Sequence, residues 1–340
     1  MRGSFVRLFT AAAVTVAMAL PAAAATQLTG AGSSFDYPFF SKAFYIYSQK
    51  NPDVTVNYQS IGSGGGIQQF TAKNVDFGAT DVPMNSEELS RAAQPVLQIP
   101  VTLGGAAIAY NLPGVNAPIR LTRQVIADIY LGKILKWNDP QIAKLNKGVT
   151  LPDMPIIVVH RSDGSGTSYI FTDFLSHVSP EWKSKVGTGK SVSWPAPSAV
   201  GAKGNEGVAG QIRSTPGAIG YVELAYVVEN HMSAALIQNR AGKWVPTSEA
   251  TVAAAAASKP EVSPTNFSIV DAAGANSYPI AGYSWVVVYK KPGDRAKELY
   301  NVLSWLVGPQ GQANAKSVDY VPLPANVQSA ASATLKQMQH

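Results

Sequence analysis

The feature that most constrains the fold is a short strand that runs into a glycine- and serine-rich loop and then into a helix. The strand is the apolar, β-branched run 155–160, and apolar residues recur at helical spacing over 168–175. Between them lies the loop Arg161-Ser162-Asp163-Gly164-Ser165-Gly166-Thr167. We predict a helix that begins near Ser165 or Thr167. A helix N-terminus has unpaired N–H groups and a partial positive charge, which suit an anion.

The loop also carries side chains of the kind that bind anions. Arg161, at the end of the strand, supplies a guanidinium that can fork onto an oxyanion, and Asp163 can hold that guanidinium in place. The alternative interpretation is a simple helix N-cap, in which Ser165 or Thr167 satisfies the first amides of the helix. Taken alone, this loop leaves both interpretations open.

Two further loops of this kind occur before residue 70. Thr29-Gly30-Ala31-Gly32-Ser33-Ser34-Phe35 precedes a helical pattern over 37–47, and the alternating strand 53–61 runs into Gly62-Ser63-Gly64-Gly65-Gly66 and a helix over 67–73. Another strand, 75–81, ends in the carboxylate of Asp81. Strands alternate with helices along the chain, which predicts an α/β fold with mainly parallel sheets. Ligands of such sheets bind at the C-terminal ends of the strands, where these loops lie.

The remaining pattern gives a coarse outline of the chain. We predict strands over 99–110, 217–222 and 283–289, helical segments over 121–146, 251–257 and 298–307, and a loop-rich region over 187–210. No internal repeat or disordered linker is evident in the sequence.

Residues 1–25 have the pattern of a secretory signal peptide. Two arginines and no acidic residue precede the apolar run 8–20, and small residues follow it. We expect cleavage after Ala24 or Ala25 and a periplasmic location. No later segment approaches about 18 uninterrupted apolar residues, so we expect no direct membrane insertion of the mature chain. The chain has no cysteine, which excludes a disulfide framework and a lipid-attachment thiol.

Composition and spacing argue against several other classes of protein. The formal net charge is +6, but Lys and Arg are scattered without a basic face, so we expect no nucleic-acid binding. The dinucleotide-binding motif requires a glycine where this chain has Ile67, and the P-loop motif requires one where it has Ser184. Ser165 does not lie in the G-x-S-x-G motif of the hydrolase nucleophile elbow. The four histidines, 160, 177, 231 and 340, form no H-E-x-x-H pair, so we expect no metal, no cofactor and no enzyme activity. His160, inside an apolar strand, is interpreted as a structural residue.

Six segments, in this order, resemble the family of periplasmic phosphate-binding proteins that serve the phosphate-specific ABC importer. They are Ala31 to Phe35, Tyr58 to Gly66, Val75 to Asp81, Ile129 to Ile134 with Trp137, Arg161 to Thr167, and Pro216 to Glu223. The resemblance spans nearly the whole mature chain. It implies an α/β, two-lobed type II periplasmic-binding-protein fold with two interlobe crossover strands, near 101–110 and 275–285. Lobe I would then combine 26–105 with 280–340, and lobe II would be 106–279.

The resemblance also implies a binding site and its partners. The positions that match the family's phosphate pocket are Ser34, Phe35, Ser63, Asp81, Arg161, Ser165, Gly166 and Thr167, with Asp163 placed to orient Arg161. Ser34 stands where the best-known members have threonine, and it keeps the hydroxyl donor. For Phe35 the alternative is core packing, and for Asp81 it is a turn or cap carboxylate. The implied function is binding of inorganic phosphate, as a monomer, and delivery to the membrane permease subunits of an ABC importer.

Two other functions remain open from the residues alone. A secreted phosphatase would need a nucleophile with a base, and Ser165 has no histidine close to it in sequence. A secreted phosphate-binding scaffold with an adhesion or surface-interaction role needs no motif at all.

Overall fold

The computed structural model describes residues 25–340, so the predicted signal peptide and its cleavage after Ala24 lie outside the described residues, apart from Ala25 itself. The strands within this range are β1 (Thr26–Gly32), β2 (Val54–Ser60), β3 (Phe77–Thr80), β4 (Val96–Tyr110), β5 (Arg120–Thr122), β6 (Ile157–Arg161), β7 (Val200–Ala202), β8 (Ala218–Glu223), β9 (Ser233–Ala234), β10 (Leu236–Gln238), β11 (Trp244–Val245) and β12 (Ala281–Tyr289).

Helices alternate with these strands through most of the described chain. They are α1 (Tyr37–Lys50), α2 (Ser63–Thr71), α3 (Ser86–Ser90), α4 (Arg123–Tyr130), α5 (Pro140–Ala143), α6 (Gly166–Val178), α7 (Pro180–Lys185), α8 (Gly204–Ser214), α9 (Leu224–Glu229), α10 (Glu249–Ala257), α11 (Ala296–Val307), α12 (Pro309–Gln312) and α13 (Ala325–Leu335), with a 3-10 turn at Ala315–Val318. Among the described residues, none of the helices has both the length and the apolar character needed to cross a bilayer.

One large sheet runs through the molecule in the order β2-β1-β3-β12-β4-β8-β6-β7, with β9 also paired to β4. The long strand β4 changes partners along its length. Its first part, from Val96 to Gly105, pairs with β12, and Ala106 to Tyr110 pairs with β8. A separate sheet has the order β11-β10-β5. β4 therefore joins a β2-β1-β3-β12 half of the large sheet to a β8-β6-β7 half.

The expectation of mainly parallel sheets is wrong. Five of the ten strand pairings in residues 25–340 are antiparallel. The cause is the central position of β4 and β12. They are antiparallel to each other, β4 is also antiparallel to β8, and β12 is also antiparallel to β3. Both strands are buried along nearly their whole length, and a continuous apolar run carries no information about direction.

Local sequence explains most of the helices. The predicted apolar face of α1 is confirmed, because its buried residues are Phe39, Phe40, Ala43, Phe44 and Tyr47. The start of α6 is also as predicted, with Ser165 as its N-cap. Two predictions are wrong in part. The segment 121–146 contains the end of β5 and two short helices, α4 and α5, and the loop-rich region 187–210 contains β7 and residues 204–210 of α8. α8 begins at Gly204, whose φ of +71° is a turn conformation, and has no side-chain cap to mark it.

Candidate anion-binding site

Four helices, α1, α2, α6 and α8, begin close to one another, and hydrogen bonds join their first turns. The backbone N–H of Gly166, at the start of α6, donates to Ser63 Oγ at the start of α2, at 3.0 Å. The backbone N–H of Asn205 in α8 donates to Ser34 Oγ, in the loop before α1, at 3.0 Å. The first turn of a helix has unpaired N–H groups and partial positive charge. The fold therefore concentrates four such ends in one place.

Glycines permit this close approach. A Cβ atom on Gly166 would lie 2.6 Å from Asp81 Oδ2. A Cβ atom on Gly62 would lie 2.1 Å from Asp163 Oδ2, and Gly62 also has a φ of +82° that other residues rarely adopt. Any larger residue at either position would push the loops before α2 and α6 apart from their partners.

Ser34 and Ser63 each supply a buried hydroxyl with a proton still to donate. Ser63 Oγ accepts the backbone N–H groups of Asp81 and Gly166, at 3.3 and 3.0 Å. Ser34 Oγ accepts the backbone and side-chain N–H groups of Asn205, at 3.0 and 2.9 Å. Within residues 25–340 neither hydroxyl proton has a hydrogen-bond acceptor. Because each oxygen already accepts two bonds, its remaining function is donation, as an oxyanion requires.

Arg161 is buried and held by Asp163. Its side chain is 1% exposed, and its Nε and Nη2 atoms donate to the two carboxylate oxygens of Asp163 at 2.7 and 2.5 Å. Its Nη1 atom lies 3.4 Å from Thr167 Oγ1. A guanidinium has five N–H groups, so two remain after these three bonds. Burial raises the pKa of Asp163, but the hydrogen bonds and charge of Arg161 outweigh this effect and leave the pKa below its ordinary value.

The hydroxyls that follow Arg161 have different roles. Ser165 Oγ accepts the backbone N–H of Ser168 at 3.0 Å, so Ser165 does cap the helix. Thr167 Oγ1 lies near Arg161 and also accepts the side-chain N–H of Asn205 at 3.1 Å. Asn205 thus bonds to both Ser34 and Thr167 and joins the loop before α1 to the first turn of α6.

The loop 33–35 is fixed by three tyrosines, of which Tyr226 and Tyr320 are buried and Tyr58 is partly buried. Each of its consecutive carbonyl oxygens accepts a hydrogen bond from a different tyrosine hydroxyl: Ser33 from Tyr58 at 2.8 Å, Ser34 from Tyr226 at 2.7 Å, and Phe35 from Tyr320. Burial raises the pKa of all three tyrosines, so each hydroxyl keeps its proton. These bonds satisfy the three carbonyl oxygens of the loop within the protein and fix its backbone.

Phe35 packs as a core residue. Its ring is fully buried and lies edge-on to Tyr320. Its backbone N–H donates to Ser33 Oγ at 2.9 Å. The core-packing interpretation therefore accounts for the side chain, and the N–H is used within its own loop.

Asp81 is 2% exposed and its Oδ1 atom contacts two hydroxyls. Ser33 Oγ donates to it at 2.5 Å, and Ser284 Oγ lies 2.8 Å from it. Burial raises the pKa of Asp81, while these hydroxyls and the charge of Arg161 act against the increase. A second carboxyl, Asp36, also contacts Ser284 Oγ. Burial and the charge of Asp81 raise the pKa of Asp36 well above its ordinary value.

Sequence reasoning missed four residues of this network: Ser33, Asp36, Asn205 and Ser284. Ser33 and Asp36 flank two residues that the resemblance had indicated, but no motif distinguishes them. Ser284 carried a usable signal, because it is a lone small polar residue in a strand that is otherwise apolar or aromatic. Asn205 lay in the region predicted to be loop. In residues 25–340, no cluster of three or more acidic or histidine side chains is arranged to ligate a metal ion.

The fold and the convergence of helix N-termini define the class of two-lobed solute-binding proteins, and residues 19–310 match the PBP superfamily domain. The phosphate-binding protein PstS of Pasteurella multocida is 47% identical over 309 residues, which cover 89% of this chain and 88% of that protein. The corresponding protein of Haemophilus influenzae is 44% identical over 315 residues, which cover 91% and 92%. The chain belongs to the PstS family of phosphate-binding proteins.

A solved structure agrees with this assignment at the level of the fold. A high-affinity periplasmic phosphate-binding protein solved with bound phosphate superposes with a TM-score of 0.73 at 21% identity, covering 91% of this chain and 93% of that one. The predicted α/β, type II periplasmic-binding-protein fold is confirmed. The family is one of binding proteins rather than enzymes.

Proposed function

We propose that this chain binds inorganic phosphate in the periplasm and delivers it to the membrane permease subunits of an ABC importer. The observation that carries the proposal is a set of buried donors that have no acceptor within residues 25–340. They are the hydroxyl protons of Ser34 and Ser63 and two N–H groups of Arg161, beside four helix N-termini. The names of its relatives support the same ligand.

The donors match the energetic requirement of a buried anion. An ion removed from water loses many kcal/mol of hydration, which only hydrogen bonds or charges can restore. Each hydrogen bond to an ion contributes roughly 1.5–3 kcal/mol. In this proposal Ser34, Ser63 and Thr167 donate through their hydroxyls and Arg161 through its free N–H groups, while Phe35, Ser165 and Gly166 fix the backbone around the ion.

Asp81 supplies the selectivity. Phosphate at neutral pH still carries a proton, and an ionised carboxylate can accept a hydrogen bond from that P–O–H group. Sulfate has no such proton, so it would face a repelling carboxylate that has no partner. Arsenate, which is protonated like phosphate, should bind.

The domain division predicted from sequence is part of the proposal. Lobe I would comprise 26–105 and 280–340, and lobe II 106–279. Its support is the exchange of partners on β4 between Gly105 and Ala106, and the start of β12 at Ala281. Binding would then close the two lobes around the ion by hinge motion. Cleavage of a signal peptide after Ala24 or Ala25 would release the mature chain.

We further propose that the chain is not an enzyme. In the described residues Ser165 Oγ receives the backbone N–H of Ser168 and has no hydrogen bond to a histidine, so a serine nucleophile with a base is not assembled. His160, the histidine nearest in sequence, stacks on Trp194 at 5.0 Å between ring centres. An adhesion role has no observation in its favour.

Calorimetric titration of the mature chain with phosphate and sulfate tests the proposal. We expect one phosphate per chain and little sulfate binding at the same ionic strength. Arg123→Ala is a matched control, because Arg123 also forms a two-bond pair with an aspartate, Asp271, but belongs to α4. Absence of phosphate binding in the parent protein, or turnover of a chromogenic phosphate ester, would contradict the proposal.

A further inference from the structure

Two buried carboxyl groups share one hydroxyl. Ser284 Oγ, in β12, lies 2.8 Å from Asp81 Oδ1 and is also in hydrogen-bond contact with Asp36 Oδ1. Its next neighbour, the Thr80 carbonyl, is more distant at 3.4 Å. All three residues, Asp36, Asp81 and Ser284, are at most 2% exposed. Water therefore does not separate the two acids from the hydroxyl.

The number of protons decides how this contact is made. A serine hydroxyl has one proton and can donate to only one of the two carboxyl oxygens. An ionised carboxylate only accepts, whereas a protonated one donates. If both acids were ionised, one short contact to Ser284 would join two acceptors with no proton between them. One of the two acids must therefore carry a proton.

The surroundings indicate which acid this is. Asp36 Oδ2 is buried and has no hydrogen-bond partner in the described part of the chain. A negative charge there would be costly, whereas a neutral carbonyl oxygen is tolerated. Asp81 is different, because its Oδ1 accepts the Ser33 hydroxyl and its Oδ2 faces the first residue of α6, Gly166. The N-terminus of a helix stabilises negative charge.

The groups that face Asp36 from other elements also favour a protonated Asp36. Tyr58 from β2 and Tyr320 near the C-terminus are close enough for the charge of Asp36 to raise their pKa values, after burial, so both are neutral. The influences that lower the pKa of Asp36 are the hydroxyls of Ser284 and Ser33, whereas Asp81 also has the positive charge of Arg161.

We infer that Asp36 is a positioning residue that carries the proton of a buried acid pair and, by donating through Ser284, keeps Asp81 ionised and oriented towards the anion site. The chain of bonds runs from the Asp36 O–H to Ser284 Oγ, and from the Ser284 O–H to Asp81 Oδ1. Asp81 then has two hydroxyl donors on Oδ1, which leaves Oδ2 to meet the ligand. The consequence for ligand choice rests on the proposed phosphate function, but the charge assignment does not.

A stability measurement on the ligand-free protein tests the charge assignment. A carboxyl whose pKa is raised by folding loses stabilising free energy as the pH rises from its ordinary pKa through the raised one. Asp36→Asn removes that loss, so its urea midpoint should rise relative to the parent between about pH 5 and about pH 8. Asp163→Asn is the control, since the pKa of Asp163 is lowered and its difference from the parent should stay nearly constant over this range. The inference would be overturned if the urea midpoints of Asp36→Asn and Asp163→Asn differed from that of the parent in the same way at every pH.

Two amide variants test the consequence for ligands. Asp81→Asn removes the charged acid, so the ratio of phosphate to sulfate affinity should fall by roughly tenfold or more. Asp36→Asn keeps an N–H donor for Ser284 and removes no charge, so the ratio should stay within about threefold. The opposite result, with Asp36→Asn admitting sulfate, would overturn the inference by placing the charge on Asp36. If neither phosphate nor sulfate binds the parent, the proposed function fails while the urea result still decides the charge.

A spectroscopic measurement covers the case in which Asp36→Asn does not fold. In the parent protein labelled with carbon-13 at aspartate carboxyl groups, one aspartate should keep the chemical shift of a protonated acid at neutral pH. Ser284→Ala, which removes the shared hydroxyl, should move that signal. A spectrum in which every aspartate is ionised at neutral pH would overturn the inference.

Discussion

The two sides of the candidate site treat charge in opposite ways. On the side that follows β6, the charge of Arg161 is matched by Asp163 through two hydrogen bonds inside the protein. On the side formed by β1, β3 and β12, Asp81 and Asp36 lie together and both contact the hydroxyl of Ser284, with no cation of the described residues paired to either acid there. The cation is neutralised, and the anion is not.

Under the proposed function, this difference separates the groups that hold the anion from the group that selects it. With Asp36 protonated, as inferred above, the four ionisable groups carry a net negative charge before any ligand enters. A buried anion must therefore be held by local dipoles and donors, namely helix N-termini, hydroxyls and the free N–H groups of Arg161. In the proposed function, the β6 side supplies donors that orient the anion, and the Asp81 side rejects an anion that carries no proton.

The largest expected effect comes from breaking the β6 side. Arg161→Ala should weaken phosphate binding by about 2–5 kcal/mol, because it removes a buried charged donor and leaves Asp163 without its partner. Arg161→Lys should recover only part of the loss, since an ammonium does not reproduce the fork. Calorimetry measures both, and equal affinities in Arg161→Ala and the parent would remove Arg161 from the site.

Forcing the two sides apart should have the next largest effect. In Gly166→Ala the new methyl group would collide with Asp81, 2.6 Å away, and such overpacking typically costs about 1–3 kcal/mol. We expect weaker phosphate binding and a larger radius in small-angle scattering with saturating phosphate. Gly210→Ala in α8 is the matched control, because a Cβ there meets no atom within 4 Å. If both variants bind alike, the close approach is not needed for binding.

Changing the acid side should alter selectivity more than affinity. Asp81→Asn removes the repulsion together with one hydrogen-bond acceptor, so phosphate affinity should change little while the phosphate-to-sulfate ratio falls at least tenfold, or ~1.4 kcal/mol. Competition titrations at fixed ionic strength measure the ratio. Asp163→Asn alters the same atoms on the β6 side and should leave the ratio nearly unchanged. A parent-like ratio in Asp81→Asn would mean that selectivity comes from another group.

The smallest effect concerns the loop before α1, which belongs to the acid side. Tyr226→Phe removes the hydrogen bond to the Ser34 carbonyl and should reduce phosphate affinity by about 0.5–1.5 kcal/mol, the usual contribution of one buried bond. Tyr169→Phe is a suitable control, because Tyr169 lies in α6 but packs on Phe267 away from this loop. A larger loss in the control than in Tyr226→Phe would show that the loop needs no such support.

The sequence predicted those parts of the fold that are determined by residues close together in the chain. Strand, glycine loop and helix follow one another because turn residues and caps act within a few positions, so the start of α6 at Gly166 was predictable from Ser165. The direction of β4 and β12 was not, since it depends on partners more than 100 residues away. The start of α8 was missed because nothing caps it.

The same distinction holds for the site. Arg161 and Asp163 are two residues apart, and their pairing could be proposed from one loop. The contact of Asp36 with Ser284 joins residues 248 positions apart, and no single-sequence pattern reports it. The resemblance to a family indicated the groups that face the ligand, but not Asn205 or the acid behind Asp81, which act through those groups.

The three tyrosines that bond to the loop 33–35 also bear on how fast a ligand enters and leaves the proposed site. Tyr58 and Tyr320 belong to the segments assigned to lobe I, and Tyr226 to the segment assigned to lobe II. When the proposed lobes separate, two carbonyl bonds persist and the one to Ser34 breaks. The encounter rate of a ligand with the open loop does not involve that bond. In the proposed hinge motion the residence time would involve it, because escape of the ligand would require the Tyr226 hydroxyl to leave the Ser34 carbonyl first.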